Sequence, residues 1–159
     1  MKRPQKGFSL IELLIVVAII LIIAAIAIPN LLRARMQANE ASAASSLHAV
    51  NTAEISYSSS YPTVGFSPSL SSLGSGGTSP CPATSAASCY IDETLAAGTK
   101  SGYLFSFTPD TNTPAQHYAL NADPTSRGLT GQRSYYTSDT NVTRYNTTGT
   151  ASSSDSPLQ

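Results

Sequence analysis

From Phe8 to Ile28 the chain contains only two polar side chains, Ser9 and Glu12. A run of this length fits no small water-soluble core. As a helix rising ~1.5 Å per residue it spans about 31 Å, enough to cross the hydrocarbon core of a bilayer. A cleaved secretory signal is the first alternative, but its apolar region covers about 7–15 residues before a small-x-small site. This run is longer, although Ala25-Ile26-Ala27 has the form of a weak cleavage site. Within the run Glu12 is the anomaly, because a charge at the middle of a membrane helix costs roughly 2.5–3.5 kcal/mol on insertion scales.

Three cations, Lys2, Arg3 and Lys6, precede the run, and Arg33 and Arg35 follow it. The margin of three against two favours a cytoplasmic N-terminus only slightly. The two cysteines add an argument. Cys81 and Cys89 bound the stretch CPATSAASC, with no second CxxC and no flanking histidine, so the pair does not read as a zinc site. A disulfide closing this short loop suits the spacing, and places the C-terminal part outside the cytoplasm. Two free thiols in a reducing compartment are the alternative. The formal net charge is zero, which gives no global field for nucleic acid or an acidic ligand.

Beyond the run, Pro29 removes one backbone donor and predicts a break, a bend or local loosening of the helix. The following residues are rich in alanine and good helix formers. Met36, Ala43, Leu47, Val50 and Tyr57 recur at helical spacing and form one apolar stripe, with Arg33, Gln37, Glu40, Asn51 and Glu54 assigned to the remaining faces. The pattern predicts one helix to about residue 57, apolar all round over 8–28 and amphipathic over 29–57. Residues 58–101 read as a loop region, broken by proline, glycine and serine, with a helical turn in IDETLAAG. Alternating stretches then predict four antiparallel strands at about 103–108, 116–121, 132–137 and 142–146, inside a sheet region of 102–148. Residues 149–159 read as a polar tail. The fold class is α+β, with the amphipathic half of the long helix covering a small antiparallel sheet.

The stretch KGFSLIELLIVVAII resembles the class III signal of type IV prepilins and of the pseudopilins of type II secretion. Gly7, Phe8 and Glu12 match the family's glycine, phenylalanine and fifth-position glutamate. The resemblance extends through the helix to about residue 57, and beyond that only the architecture is shared. It implies a basic leader, residues 1–7, cut after Gly7 by a prepilin peptidase, and methylation of the new Phe8 amine. It also implies that Glu12 pairs with the Phe8 ammonium of an adjacent subunit. The implied partners are further copies in a helical homopolymer, the inner-membrane assembly platform, minor pilins, and membrane lipid before assembly. The implied location is the bacterial inner membrane, single-pass with the N-terminus cytoplasmic, then an extracellular pilus or a periplasmic pseudopilus. Two departures stand out. No glycine lies midway between Phe8 and Pro29, and the cysteines precede the strands.

The expected function is therefore a structural subunit of a type IV pilus, with a secretion pseudopilin as the alternative. A membrane-anchored extracytoplasmic enzyme is the different-class alternative. It finds no support in His48 or His117, each without a nearby acid or nucleophile motif in the sequence, and no Gly-rich phosphate loop, HExxH or GxSxG occurs. No nucleic-acid partner is expected from the scattered Arg127, Arg133 and Arg144. Neither a cofactor nor a metal is expected. The Asp110-Thr111-Asn112 and Asp139-Thr140-Asn141 stretches, which suit calcium by composition, fall where strand turns are predicted.

Overall fold

Leucine, isoleucine and alanine followed by an alanine-rich amphipathic stretch sustain a single helix, α1, from Leu10 to Ser60 in a computed structural model that describes residues 9–158. The leader 1–7 and Phe8 lie outside the described residues. Helical pairing runs through Pro29, so the break expected there is absent. The physical reason is that proline withholds only its own N–H, and the helical residues on either side keep theirs. The helix also outlasts its expected end near residue 57. Ser58 and Ser59 return their hydroxyls to the Ile55 carbonyl at 3.1 and 2.8 Å, and Tyr61 N–H closes a last turn on Tyr57. Pro62 then bars further helix.

The chain divides into two compact units, Met1–Arg35 and Met36–Gln159. In the second, α1 presents Ala43, Leu47, Val50, Ala53 and Tyr57 to a shared core with Leu70, Leu73, Leu95, Tyr103, Phe105, Leu120, Ala122 and Tyr135. Fully burying one such large side chain contributes about 1.5–3 kcal/mol, so this stripe is what fixes the helix to its sheet. Met36 is only half-buried.

Two residues assigned to the polar faces of α1 are instead buried. Asn51 donates from Nδ2 to Thr137 Oγ1 at 2.9 Å and accepts from the Tyr118 hydroxyl at 3.0 Å. Glu54, with no exposed surface, accepts from Ser67 N–H at 2.9 Å and from Ser67 Oγ at 2.5 Å. Buried polar groups are tolerated when their hydrogen bonds are met, and these partners come from distant parts of the chain.

The loop region holds more structure than proline and serine content suggests. A 3-10 turn, Leu70–Leu73, is capped by Ser69 and anchored by its two buried leucines. A short helix, α2, spans Glu93–Ala96 and is capped by Asp92, whose carboxylate also accepts from Lys100 Nζ at 2.7 Å. The Lys100 and Thr94 hydrogen bonds lower the Asp92 pKa to about 2.

The sheet has six antiparallel strands in consecutive order: β1 Thr99–Lys100, β2 Tyr103–Pro109, β3 Tyr118–Pro124, β4 Ser134–Ser138, β5 Arg144–Asn146 and β6 Ser156–Pro157. Four strands were expected, and the two additions are two-residue edges too short to show alternation. Strand β3 begins two residues later than predicted because Asp110 Oδ2 accepts from the Gln116 and His117 N–H groups at 2.9 and 3.2 Å. Strand β5 begins late because Asn141, at φ +60°, turns the chain after β4. The expected polar tail carries β6 and packs. Leu158 N–H bonds to the Thr143 carbonyl, Ala151 is buried, and Asn121 Nδ2 donates to the Ala151 carbonyl at 2.6 Å.

Candidate assembly segment and disulfide loop

Ser9 stands one residue before α1, and Glu12 three residues later reaches back to it. Glu12 Oε2 accepts from the Ser9 backbone N–H at 3.0 Å, while the Ser9 carbonyl receives the first helical bond from Leu13 N–H at 3.2 Å. This is the carboxylate half of a capping box, Ser-x-x-Glu. The carboxylate also sits where the partial positive charge of a helix N-terminus favours an anion. So the charge that seemed unsupported within an apolar run has a function in its own chain. The pattern Ser9-Leu10-Ile11-Glu12 carries this cap in the sequence, beneath the stronger signal of the hydrophobic run. Glu12 Oε1 has no partner among the described residues.

The large apolar side chains that follow are all exposed, from 76% at Leu10 to 44% at Leu32. Leu10, Leu13, Leu14 and Val17 line a shallow apolar groove on the first unit. Among the described residues nothing in this unit covers them, an exposure that suits apolar surroundings such as lipid or other helices. Among the described residues this is the one helix long and apolar enough to cross a membrane.

The residues matched by a family model are 2–28, and the model describes a prokaryotic N-terminal methylation motif. The chain carries a prepilin-type N-terminal methylation motif. Its homologues are named type IV pilins. Over 38 residues the chain is 68% identical to the type IV wide pilus major component PilA4 of Thermus thermophilus, covering 24% of this chain and 29% of that protein. Over 53 residues it is 49% identical to the type IV major pilin protein PilA of Myxococcus xanthus, covering 33% of this chain and 24% of that protein. The aligned stretches thus span about a quarter of the length of these pilins. No solved structure matches the chain. Of the motif's positions Glu12 lies in the described part, whereas Gly7 and Phe8, with the cleavage, methylation and pairing expected of them, lie outside it.

Cys81 and Cys89 are joined, with Cα atoms 6.4 Å apart. The loop they close is tied to the end of α1 by Tyr57, which donates to the Ser85 carbonyl at 2.7 Å, and to the residue just past it by Tyr61, which donates to the Ala83 carbonyl at 3.0 Å. Backbone bonds from Ser88, Cys89 and Tyr90 to Ser72, Gly74 and Leu73 hold its far side. Replacing both cysteines with serine is expected to lower the melting temperature of the detergent-solubilised chain. The chain-entropy estimate for a loop of this size is a loss of ~2.5 kcal/mol. A double variant melting at the wild-type temperature would show that the tyrosine and backbone hydrogen bonds fix the loop without the disulfide.

Most of the other residues weighed from the sequence make contacts within the second unit, and His117 meets the acid that the sequence did not place beside it. Asp110 accepts from the backbone N–H groups of Gln116, Asn112 and His117, which hold its carboxyl well below the usual range. His117 Nδ1 lies 3.0 Å from Asp139 Oδ2, and that hydrogen bond raises the His117 pKa. His48 is exposed on α1. Arg127 donates to the Gln132, Thr147 and Gly149 carbonyls and to Ser134 Oγ. Arg144 donates to the Asp155 carbonyl at 2.6 Å, and Arg133 lies 5.2 Å over the Tyr145 ring. These three arginines therefore brace the β4–β6 end of the sheet.

Proposed function

We propose that this chain is the structural subunit of a type IV pilus. The observation that carries the proposal is the N-terminal methylation motif over residues 2–28, continuous with a helix whose apolar side chains no described residue of their own unit covers. The pilin names of the relatives that share this segment favour a pilus over a secretion pseudopilus.

In this reading a prepilin peptidase at the cytoplasmic face cuts after Gly7, removing Lys2, Arg3 and Lys6 together. The apolar helix stays in the inner membrane as an anchor, and Phe8 becomes the methylated N-terminus. The disulfide is consistent with an outer location for the second unit. The new ammonium of one subunit meets Glu12 of a neighbour as the helices bundle. A buried carboxylate is costly alone and tolerable when paired, so the pair selects one axial stagger among those that apolar contact alone would allow. The assembly platform and minor pilins are the expected machinery, and the chain itself supplies the filament wall.

Filaments sheared from the native host test the proposal. Their intact subunit mass is expected to match a chain beginning at Phe8, with a methyl group added and the disulfide closed. A retained leader in filaments would overturn the processing scheme. Cells with normal processing but without surface filaments containing this chain would favour the pseudopilin reading.

A further inference from the structure

We propose that Asn141 is an acceptor for N-linked glycan, and that the chain's second sequon, at Asn146, is not. Asn-x-Ser/Thr with x other than proline is the acceptor pattern for this modification. It occurs here as Asn141-Val142-Thr143 and as Asn146-Thr147-Thr148. A three-residue pattern is common in a chain rich in serine and threonine, so the pattern alone decides nothing. The surroundings of the two asparagines separate them.

Asn141 sits in the turn between β4 and β5 with its side chain exposed. Its φ of +60° lies in the left-handed region, which asparagine tolerates better than most residues. Its own backbone N–H closes the turn on the Ser138 carbonyl at 2.9 Å. Among the described residues its side-chain amide makes no hydrogen bond, so a bulky substituent on Nδ2 displaces nothing. Asn146 is placed differently. It lies within β5, donates from Nδ2 to Asp155 Oδ1 at 3.0 Å, and accepts from Thr148 N–H, Thr148 Oγ1 and Gly149 N–H. A glycan on that nitrogen would leave it a single N–H and crowd the Asp155 carboxylate to which it donates. Asp139 also stands two residues ahead of Asn141, giving an acidic form of the acceptor pattern, whereas Arg144 holds that place before Asn146.

The second, independent observation is Thr143. It is only 6% exposed, and among the described residues its hydroxyl has no hydrogen-bond partner. A buried hydroxyl without a partner disfavours the folded state, and valine would fill nearly the same space without that cost. Among the described residues no contact accounts for the threonine hydroxyl at this position. The sequon does, because the hydroxyl two residues after the asparagine is part of what is recognised. Transfer must then precede burial of Thr143, before β5 pairs and before Leu158 N–H seats on the Thr143 carbonyl at 2.8 Å.

The chemistry is a glycosyl transfer with no change of oxidation state. The donor class is an oligosaccharide joined through its anomeric carbon to a lipid diphosphate. Asn141 Nδ2 attacks that carbon, a transferase base takes one amide proton, the carbon–oxygen bond to the diphosphate breaks, and the lipid diphosphate leaves. The proposal requires only that residues around Asn141 reach the outer face, not that a filament forms. Its test therefore reads membrane fractions as well as filaments.

Trypsin separates the two sequons, because Arg133 and Arg144 bracket residues 134–144 while Asn146 falls in 145–159. In the full chain purified from its native host, peptide 134–144 is expected to carry a sugar mass that fragmentation assigns to Asn141. Peptide 145–159 is expected at its unmodified mass. Asn141→Gly, which keeps the left-handed turn at no steric cost, and Thr143→Val should each abolish the added mass. Thr143→Val should also melt at or above the wild-type temperature, while Thr143→Ser keeps the sugar. Peptide 134–144 found only unmodified would overturn the proposal. So would a sugar surviving Asn141→Gly, or one carried by Asn146.

Discussion

Replacing Glu12 with alanine is expected to leave the chain in the membrane in normal amount and to reduce filament yield by more than two decades. Removing one partner of a buried ion pair costs about 3–5 kcal/mol, at ~1.4 kcal/mol for each tenfold in an equilibrium constant. The substitution also removes an insertion penalty of roughly 2.5–3.5 kcal/mol, so the lone helix becomes more comfortable in lipid at the moment it loses its reason to leave. Both changes act in one direction. The capping bond to Ser9 N–H supplies a rival explanation, since alanine deletes it too. Glu12→Gln separates the two, because glutamine at this helical position still caps but carries no charge. If pairing with the Phe8 ammonium drives assembly, the glutamine variant fails nearly as completely as alanine. Filament yield restored by glutamine would assign the effect to the cap and sink the pairing idea.

The second large effect is expected at Glu54, whose carboxylate is enclosed in the second unit. Glu54→Ala leaves Ser67 N–H without an acceptor, and Ser67 Oγ with only its 3.2 Å bond to the Ser69 carbonyl, in a site where Ser67 has no exposed surface. The orphaned N–H costs about 1–3 kcal/mol, and the vacated volume adds to that, a large part of a domain stability of ~5–15 kcal/mol. Thermal melts should show a broad destabilisation, up to failure to fold. The pH dependence is the finer measurement. Burial raises the Glu54 pKa, with the Ser67 hydrogen bonds opposing it. A raised folded-state value means that this group's stabilising contribution is complete below the ordinary glutamate range. It is lost as pH rises through the folded value. The neighbouring Tyr57 and Tyr118 hydroxyls, both pushed up by burial, stay neutral throughout. Asp92, lowered to about 2, acts with the opposite sign at lower pH, so the quantity to read is wild type minus Glu54→Gln. That difference should fall between mildly acid and neutral pH. A flat or rising difference would mean that Glu54 titrates no differently in the folded chain.

The same residue shows where sequence reasoning stopped. The spacing of Ala43, Leu47, Val50 and Tyr57 was enough to orient α1, because hydrophobic burial repeats with the helical period. Asn51 and Glu54 were assigned to the polar faces because a periodicity treats every polar side chain as solvent-facing. What lets them go inside is a partner: Thr137 lies 86 residues away and Ser67 lies 13 away. No local pattern carries that information. Strands β1 and β6 were missed for another reason, since two residues cannot alternate. Their existence depends on β2 and β5 offering an edge. Glu12 was recognised as unusual from composition alone, yet its capping partner three residues away was missed. Local hydrogen bonding is as legible as hydropathy when it is looked for.

Each strand of the sheet pairs only with the strand before it and the strand after it, and the helical stripe that covers them comes first in the chain. The order of synthesis is then also an order of construction. A template of apolar side chains arrives before the sheet, and each new strand finds an open edge waiting. No strand has to be inserted between two that are already joined. Short-range connections of this kind shorten the search for the native state. Each partly built form exposes one growing edge, and the next strand of the same chain lies nearest to cover it before a neighbouring chain can.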